Sequence, residues 1–369
     1  MKKKFSISYA SSGVRYDIMD VLKREAQKSG RETAKNLSIF GSHEVSASRG
    51  ESAYVWEEKD GYRAFVMEGL GTKNLVADAM YALTGKTYYD SIAQDTVAMI
   101  VNDLIVVGAA PMVVSAYFAV GDSHWFSDKK RARDLIRGWA RACALAGATW
   151  GGGETPTLSE IVDPTTIDLA GSAIGIIRPK SSLTLGDKIS DGDAIVLVQS
   201  NGIHANGLTL ARKIAQTLPD GYATVLPGSS MYGEALLKPT HIYASYIQDL
   251  FEARLGIHYM VHITGHGWRK LMRAHQNISY IIETVPEPQP IFSFLQKHSG
   301  ADDREMYRTF NMGAGFAVYL PQKEVYRAID IARKHHVYAW NAGHIEQGKK
   351  QVIIRPKNIV FSSETLAIR

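Results

Sequence analysis

The sequence predicts a mixed α/β protein of two domains, and three observations point there. Strand-like stretches and stretches with helical apolar spacing interleave along the whole chain. The dipeptide Arg178-Pro179 interrupts this series, which then restarts. At 369 residues the chain exceeds the usual size of one core, so domains spanning 1–178 and 179–369 are expected.

The elements follow in order. Apolar spacing predicts a helix over Tyr16–Ser29. Ala53–Glu58 and Tyr62–Met67 read as strands, and Lys-Asp-Gly near their junction marks a hairpin. Helices are expected over Asn74–Leu83 and Ile92–Val107, a strand over Met112–Val120 and a helix over Ser127–Ala146. The glycines of Trp150–Thr155 predict a turn, and Thr166–Ile177 a strand ended by Pro179. Past the break, Ala194–Gln199 reads as strand, followed by a turn and a helix to Gln216. Pro239–Phe251 reads as helix, Tyr259–Ile263 as strand and His266–His275 as helix. The remainder alternates strand Ile278–Glu283, helix Ile291–Lys297, strand Ala314–Tyr319, helix Lys323–His335, and strands Ala339–Ile345 and Gln351–Arg355.

Composition excludes several function classes. Hydrophobic residues make up 45% and charged residues 21%, ordinary values for a globular protein. Forty-two basic against 37 acidic residues give a net charge of +5, without the clustered basic stripe that nucleic acid demands. An anionic small molecule suits that balance equally well. Cys143 is the single cysteine, so neither an internal disulfide nor a cysteine metal cage can form. The uncharged run Leu104–Gly121 is long enough to suggest a membrane span, but Gly108 and Pro111 interrupt it, and it reads as a helix end, a turn and a buried strand. The opening MKKKFSISYA lacks an apolar signal core, so a cytoplasmic protein is expected.

Several short stretches could carry chemistry. MEGLGTK, residues 67–73, sets two glycines, a hydroxyl and an amine within five residues, with Glu68 beside them. It is not a Rossmann loop, because Asn74 stands where the third glycine belongs. Gly85-Lys86-Thr87 is not a P-loop, because Met80 occupies the first glycine position. Asp95 and Asp103 lie eight residues apart on one expected helix, close to two turns and so on one face. Together with Glu68 and Glu154 they are hard oxygen donors of the kind that hold Mg²⁺ against nucleotide phosphates. The loop SNGIHANG before a helix can receive an anion on its amides. His258, His262 and His266 recur every four residues, but Gly265 and Gly267 and the strand-like Tyr259–Ile263 favour a loop role over zinc. MYRTFNMG reads as an ordinary turn.

Taken in order, GLGTK, DTVAMIVNDL, GGGET, SNGIHANG, HITGHGW and EMYRTFNMGAGF resemble aminoimidazole ribonucleotide synthetase, and the resemblance runs from about Phe5 to Ile354. It implies a two-domain fold whose N-terminal α/β domain pairs strands across a homodimer, followed by a C-terminal α/β domain. It also implies ATP and Mg²⁺, and a ring closure in which ATP phosphorylates a formamide oxygen before a neighbouring nitrogen attacks. Carried over by motif, Glu68, Asp95, Asp103 and Glu154 would hold or orient the metal. Gly69, Gly71, Thr72, Lys73, Asn102, Gly152, Gly153, Glu154 and Thr155 would surround the nucleotide. Asn206, Gly207, Thr264, Gly265 and Asn311 would meet the substrate, with Lys73 on phosphate and His204 handling a proton as the catalytic pair.

The chain departs from the family pattern in places. Met67-Glu68 replaces Thr-Asp, carrying the carboxylate one methylene further. Arg15 stands for an acid, and Pro156-Thr157-Leu158-Ser159 for Ala-Glu-Met-Pro. A paralogue that activates another substrate, or a nucleotide-binding protein without turnover, stays compatible with these changes.

Overall fold

The computed structural model describes residues 16–366. Arg15, and with it that departure, lies outside the described residues. Helix α1 (Tyr16–Glu32) leads into a short strand β1 (His43–Glu44) and the hairpin β2 (Tyr54–Glu58) and β3 (Gly61–Gly69). Next come α2 (Lys73–Thr84), α3 (Tyr89–Ile105), β4 (Ala110–Val120), α4 (Lys129–Leu145), β5 (Thr149–Glu154) and β6 (Ile167–Ile177). These strands form one six-stranded sheet in the order β1-β2-β3-β6-β4-β5, antiparallel except between β4 and β5. Helix α3 packs on β3, β4, β6 and α4. It is buried almost all round, as its apolar composition requires. The opposite face of the sheet carries exposed Phe65, Met67 and Met112.

The second half runs β7 (Ala194–Gln199), α5 (Leu208–Thr217), α6 (Tyr232–Leu236), α7 (Ala244–Glu252), β8 (Tyr259–His262), β9 (Ile278–Ile282), α8 (Pro290–Ser299) and α9 (Asp303–Thr309). It closes with β10 (Ala314–Leu320), α10 (Val325–Lys334), β11 (Ala339–Gln347), β12 (Gln351–Ile354) and β13 (Ile359–Ser362). The seven strands order as β13-β12-β9-β11-β7-β10-β8, with only β12 and β9 parallel. Strand β10, held between β7 and the edge strand β8, is buried along its whole length.

Three segments differ from the sequence reading, each for a physical reason. Trp150–Thr155 is largely strand β5, not a turn: its glycines permit close approach to β4. A Cβ on Gly151 would lie 2.5 Å from Val113 and one on Gly153 2.1 Å from the Ala116 carbonyl. The stretch from Pro239 to Tyr243 is irregular rather than helical because side chains of α3 take its backbone groups. Asp95 accepts from Thr240 N–H, Gln94 donates to Thr240 O, and Asn102 bonds His241 O and Tyr243 N–H. EMYRTF belongs to helix α9 rather than to a turn, its start capped by Asp302, which accepts from Glu305 N–H at 2.8 Å.

Candidate active site

Between the two sheets lies a cleft of about 460 Å³, and its walls come from distant parts of the chain. One wall is the turn Gly69–Thr72 after β3, with Glu68 beneath it. Leu70 N–H donates to Leu169 O at 2.8 Å, fixing the turn to β6, while Gly71 adopts φ 77°, a left-handed conformation that glycine takes without strain. Helix α2 starts directly after it. The facing wall is Ala205–Thr209, where Gly207, at φ 78°, opens α5. A Cβ on Gly207 would fall 2.1 Å from the Phe310 ring, so only glycine fits there. The N-termini of α2 and α5 therefore both open onto one cleft, each with backbone N–H groups that no helical carbonyl satisfies. Asn206 lines it as well, with a buried side-chain Nδ2 that has no partner among the described residues.

Two carboxylates face this space. Asp103, on α3, pairs its Oδ1 with His262 Nδ1 at 2.6 Å. Burial lowers the pKa of His262, leaving a neutral ring that donates from Nδ1 and so fixes the tautomer. Burial alone would raise Asp103, but Lys270 and the His262 hydrogen bond outweigh it and hold the group at about 2. Glu68 goes the other way: burial and the nearby Asp103 charge push it up to about 7. Like-charged acids held together beside unsatisfied amides form a place where a cation and an anion would bind together.

The structure places the remaining expected residues as follows. Glu68, Gly69, Gly71, Thr72, Asp103, Asn206, Gly207, Thr264 and Gly265 line the cleft. Lys73 and Asp95 do not: both side chains are 0% exposed, and Lys73 Nζ donates to Asp95 Oδ1 and to Lys238 O, each at 2.8 Å. Asp95 also accepts from Thr240, so in this structure the pair ties α3 and α2 to the segment 238–240 of the second half. Asn102 is spent on the 241–243 backbone. His204 is not among the residues lining the cleft: it is buried at φ 58°, its Nε2 accepts from Asn201 N–H, and burial holds it neutral. Asn311 ties Ser200, Gly202 and Gly313 together. Gly152, Gly153, Glu154 and Thr155 are not among the residues lining the cleft; Gly152–Glu154 lie exposed on edge strand β5 and Thr155 follows it. Among the described residues no three acidic, histidine or cysteine side chains are grouped to hold a metal ion. His258, His262 and His266 each face a different aspartate: Asp193, Asp103 and Asp20.

Sequence reasoning missed Lys23, Met99, His266, Lys270 and Arg273, which also line the cleft. A signal for the last two was present: Trp268–Ala274 holds three cations within a run otherwise apolar. Their burial is not readable locally, since it comes from packing α1 and residues 50–52 over this turn.

Comparison with known proteins agrees with this architecture. Residues 50–177 match the family model "AIR synthase related protein, N-terminal domain", and residues 190–355 its C-terminal counterpart. The phosphoribosylformylglycinamidine cyclo-ligase of Methanothermobacter thermautotrophicus is 34% identical over 327 residues, covering 88% of this chain and 91% of the relative. That of Carboxydothermus hydrogenoformans is 35% identical over 357 residues, covering 94% and 98%. A solved structure of AaThiL complexed with AMPPCP and TMP superposes with a TM-score of 0.57 at 14% identity, covering 84% of this chain and 89% of that one, a likeness of fold. With both domain models matched in order and such identity along nearly the whole length, the chain belongs to the AIR synthase-related family, among the phosphoribosylformylglycinamidine cyclo-ligases.

Proposed function

We propose that the protein closes the imidazole ring of purine biosynthesis, converting formylglycinamidine ribonucleotide and ATP to aminoimidazole ribonucleotide, ADP and phosphate. The observation that carries this reading is the convergence of two helix N-termini on one cleft that also holds a carboxylate pair. Amides at helix N-termini bind phosphate groups, of which this reaction brings several. The formyl oxygen attacks the γ-phosphorus while the bond to the ADP oxygen breaks. The neighbouring amine nitrogen then attacks the activated carbon, the C–O bond breaks, and phosphate leaves with that oxygen as the nitrogen loses its proton. Such chemistry asks the protein for positioning and charge stabilisation. The turn 69–72 and the start of α2 hold phosphate oxygens, Asn206 offers its unpartnered amide to the substrate, and the shared walls exclude water.

Mg²⁺ fits the residues present. Glu68 and Asp103 would hold it, since this ion binds through one or two carboxylates together with substrate phosphates. When bound, it would neutralise phosphate charge and the repulsion that raises Glu68.

The active form is a homodimer joined through the open face of the first sheet, and exposed Phe65, Met67 and Met112 support that reading. Residues 1–178 form the nucleotide-binding and dimerising domain, and 179–369 the second domain, which supplies the facing wall. Among the described residues no helix is long and apolar enough to cross a membrane, and we place the enzyme in the cytoplasm with its metabolite substrates. The test is release of ADP from ATP: the enzyme releases it only when formylglycinamidine ribonucleotide is present, and folded protein that binds ATP without such turnover contradicts the proposal.

A further inference from the structure

We infer that Lys270 contacts the phosphoryl group transferred from ATP, the role that the sequence motif suggests for Lys73. This rests on the reading that a nucleoside triphosphate occupies the cleft. Lys73 cannot serve, because its ammonium is sealed between Asp95 and Lys238 O. Three cations line the cleft: Lys23, Lys270 and Arg273. Arg273 is committed elsewhere, donating to Gly50 O and Ser52 Oγ and pairing with Glu51. Lys23 reaches in from α1 with a side chain 46% exposed, beside Asp20 at 3.6 Å. Lys270 differs from both. It is 6% exposed, and among the described residues its one hydrogen bond goes to Thr264 Oγ1 at 2.5 Å. Two of its three N–H groups are therefore unspent, in a setting where an unsatisfied ammonium is costly unless an anion completes it. Asp103 and Glu68 act on it through space, without a hydrogen bond.

An ammonium close enough to feel both Asp103 and Glu68 would meet the phosphate group that a metal held by those acids would also meet. As the formyl oxygen attacks the γ-phosphorus and the bond to ADP breaks, the N–H groups of Lys270 stabilise the charge on the transferring oxygens. The lysine gives up no proton in this step. Thr264, by taking the third N–H, aims the side chain.

The test compares wild type with Lys270→Met, Lys270→Arg and Lys270→Cys, measuring turnover and, by calorimetry, binding of AMPPCP and of adenosine. Lys270→Met is expected to lower kcat by about 10²–10³-fold and to weaken AMPPCP, while adenosine binding is unchanged. Lys270→Arg keeps part of the AMPPCP affinity. Treating Lys270→Cys with 2-bromoethylamine rebuilds a lysine-length ammonium, with sulfur in place of the γ-methylene, and restores both turnover and AMPPCP binding; a merely structural lysine is distinguished by adenosine binding, which its loss would weaken together with AMPPCP. Cys143, buried and with its thiol pushed up to about 11, stays unmodified, and mass spectrometry confirms the single addition. The inference is overturned if Lys270→Met binds AMPPCP within threefold of wild type, if AMPPCP and adenosine weaken together, or if the aminoethylated protein is not restored. Wild type that binds AMPPCP but does not turn over the ribonucleotide defeats the proposed reaction, and Lys270 is then judged on binding alone. Wild type that binds no triphosphate defeats both.

Discussion

Replacing Lys73 with alanine separates a strut from a phosphate contact. The Lys73 and Asp95 side chains are both 0% exposed, and the carboxylate also accepts from Thr240 N–H and Oγ1 at 2.8 and 2.5 Å. Burial drives the Lys73 pKa down and the Asp95 pKa up, and the attraction of each group for the other opposes that shift. Lys73→Ala therefore leaves a buried carboxylate with no cation, a change that costs about 3–5 kcal/mol. For a domain of this size that lowers the melting temperature by roughly 6–20 °C. Lys238 O also loses its donor, so the segment from Pro239 loosens from α3. The compensated variant Lys73→Met with Asp95→Asn keeps an acceptor for Thr240 and removes the orphaned charge, so most of the loss returns. Thermal unfolding followed by circular dichroism measures this, and calorimetry with AMPPCP below the transition gives the binding side. The structure predicts a large drop in stability with less than about a tenfold change in affinity. An unchanged melting temperature with AMPPCP binding lost would refute the reasoning and put Lys73 at the phosphates.

Two further outcomes follow from the same geometry. Glu68 titrates at about 7 against an ordinary 4.5, so the folded state holds that proton more tightly than the unfolded one. Its cost to stability grows as pH rises from 4.5 through 7 and is complete above that, on the order of 3 kcal/mol. Glu68→Gln should accordingly raise the melting temperature of the metal-free protein at pH 8 and leave it unchanged at pH 4.5, and equal shifts at both pH values would contradict this. Met67→Lys, at a position 66% exposed on the open sheet face, places paired charges in the proposed dimer and should shift the light-scattering mass to that of a monomer. An unaltered dimer mass would move the interface elsewhere.

The sequence made the scaffold legible where local pattern and packing agree. The α3 helix, the hairpin into β3 and the strand Ala194–Gln199 have periodicities that the fold keeps. It was misleading where a residue serves a distant partner. The glycines of β5 look like a turn because close approach to β4 is invisible locally. Residues after Pro239 carry helical spacing, yet Gln94, Asp95 and Asn102 claim their backbone groups from more than a hundred residues away. Motif residues divided by the same logic. Gly69–Thr72 and Asn206-Gly207 reach the cleft because they precede helices that point into it. Lys73, Asp95 and His204 look equally chemical in sequence, yet they lie off the cleft and bond to other parts of the chain. Lys270 is one of three cations in the run Trp268–Ala274, and only the folded chain sets it apart from them, as the one both buried and lining the cleft.

The central claim, that the cleft activates a formamide oxygen by phosphorylation, is tested most directly by tracing that oxygen. Formylglycinamidine ribonucleotide labelled with ¹⁸O at the formyl group is turned over with ATP and Mg²⁺, and the released phosphate is examined by mass spectrometry. The account predicts one ¹⁸O per phosphate, with ADP and imidazole product in equal amounts. Unlabelled phosphate, with the ¹⁸O appearing in water instead, would contradict it.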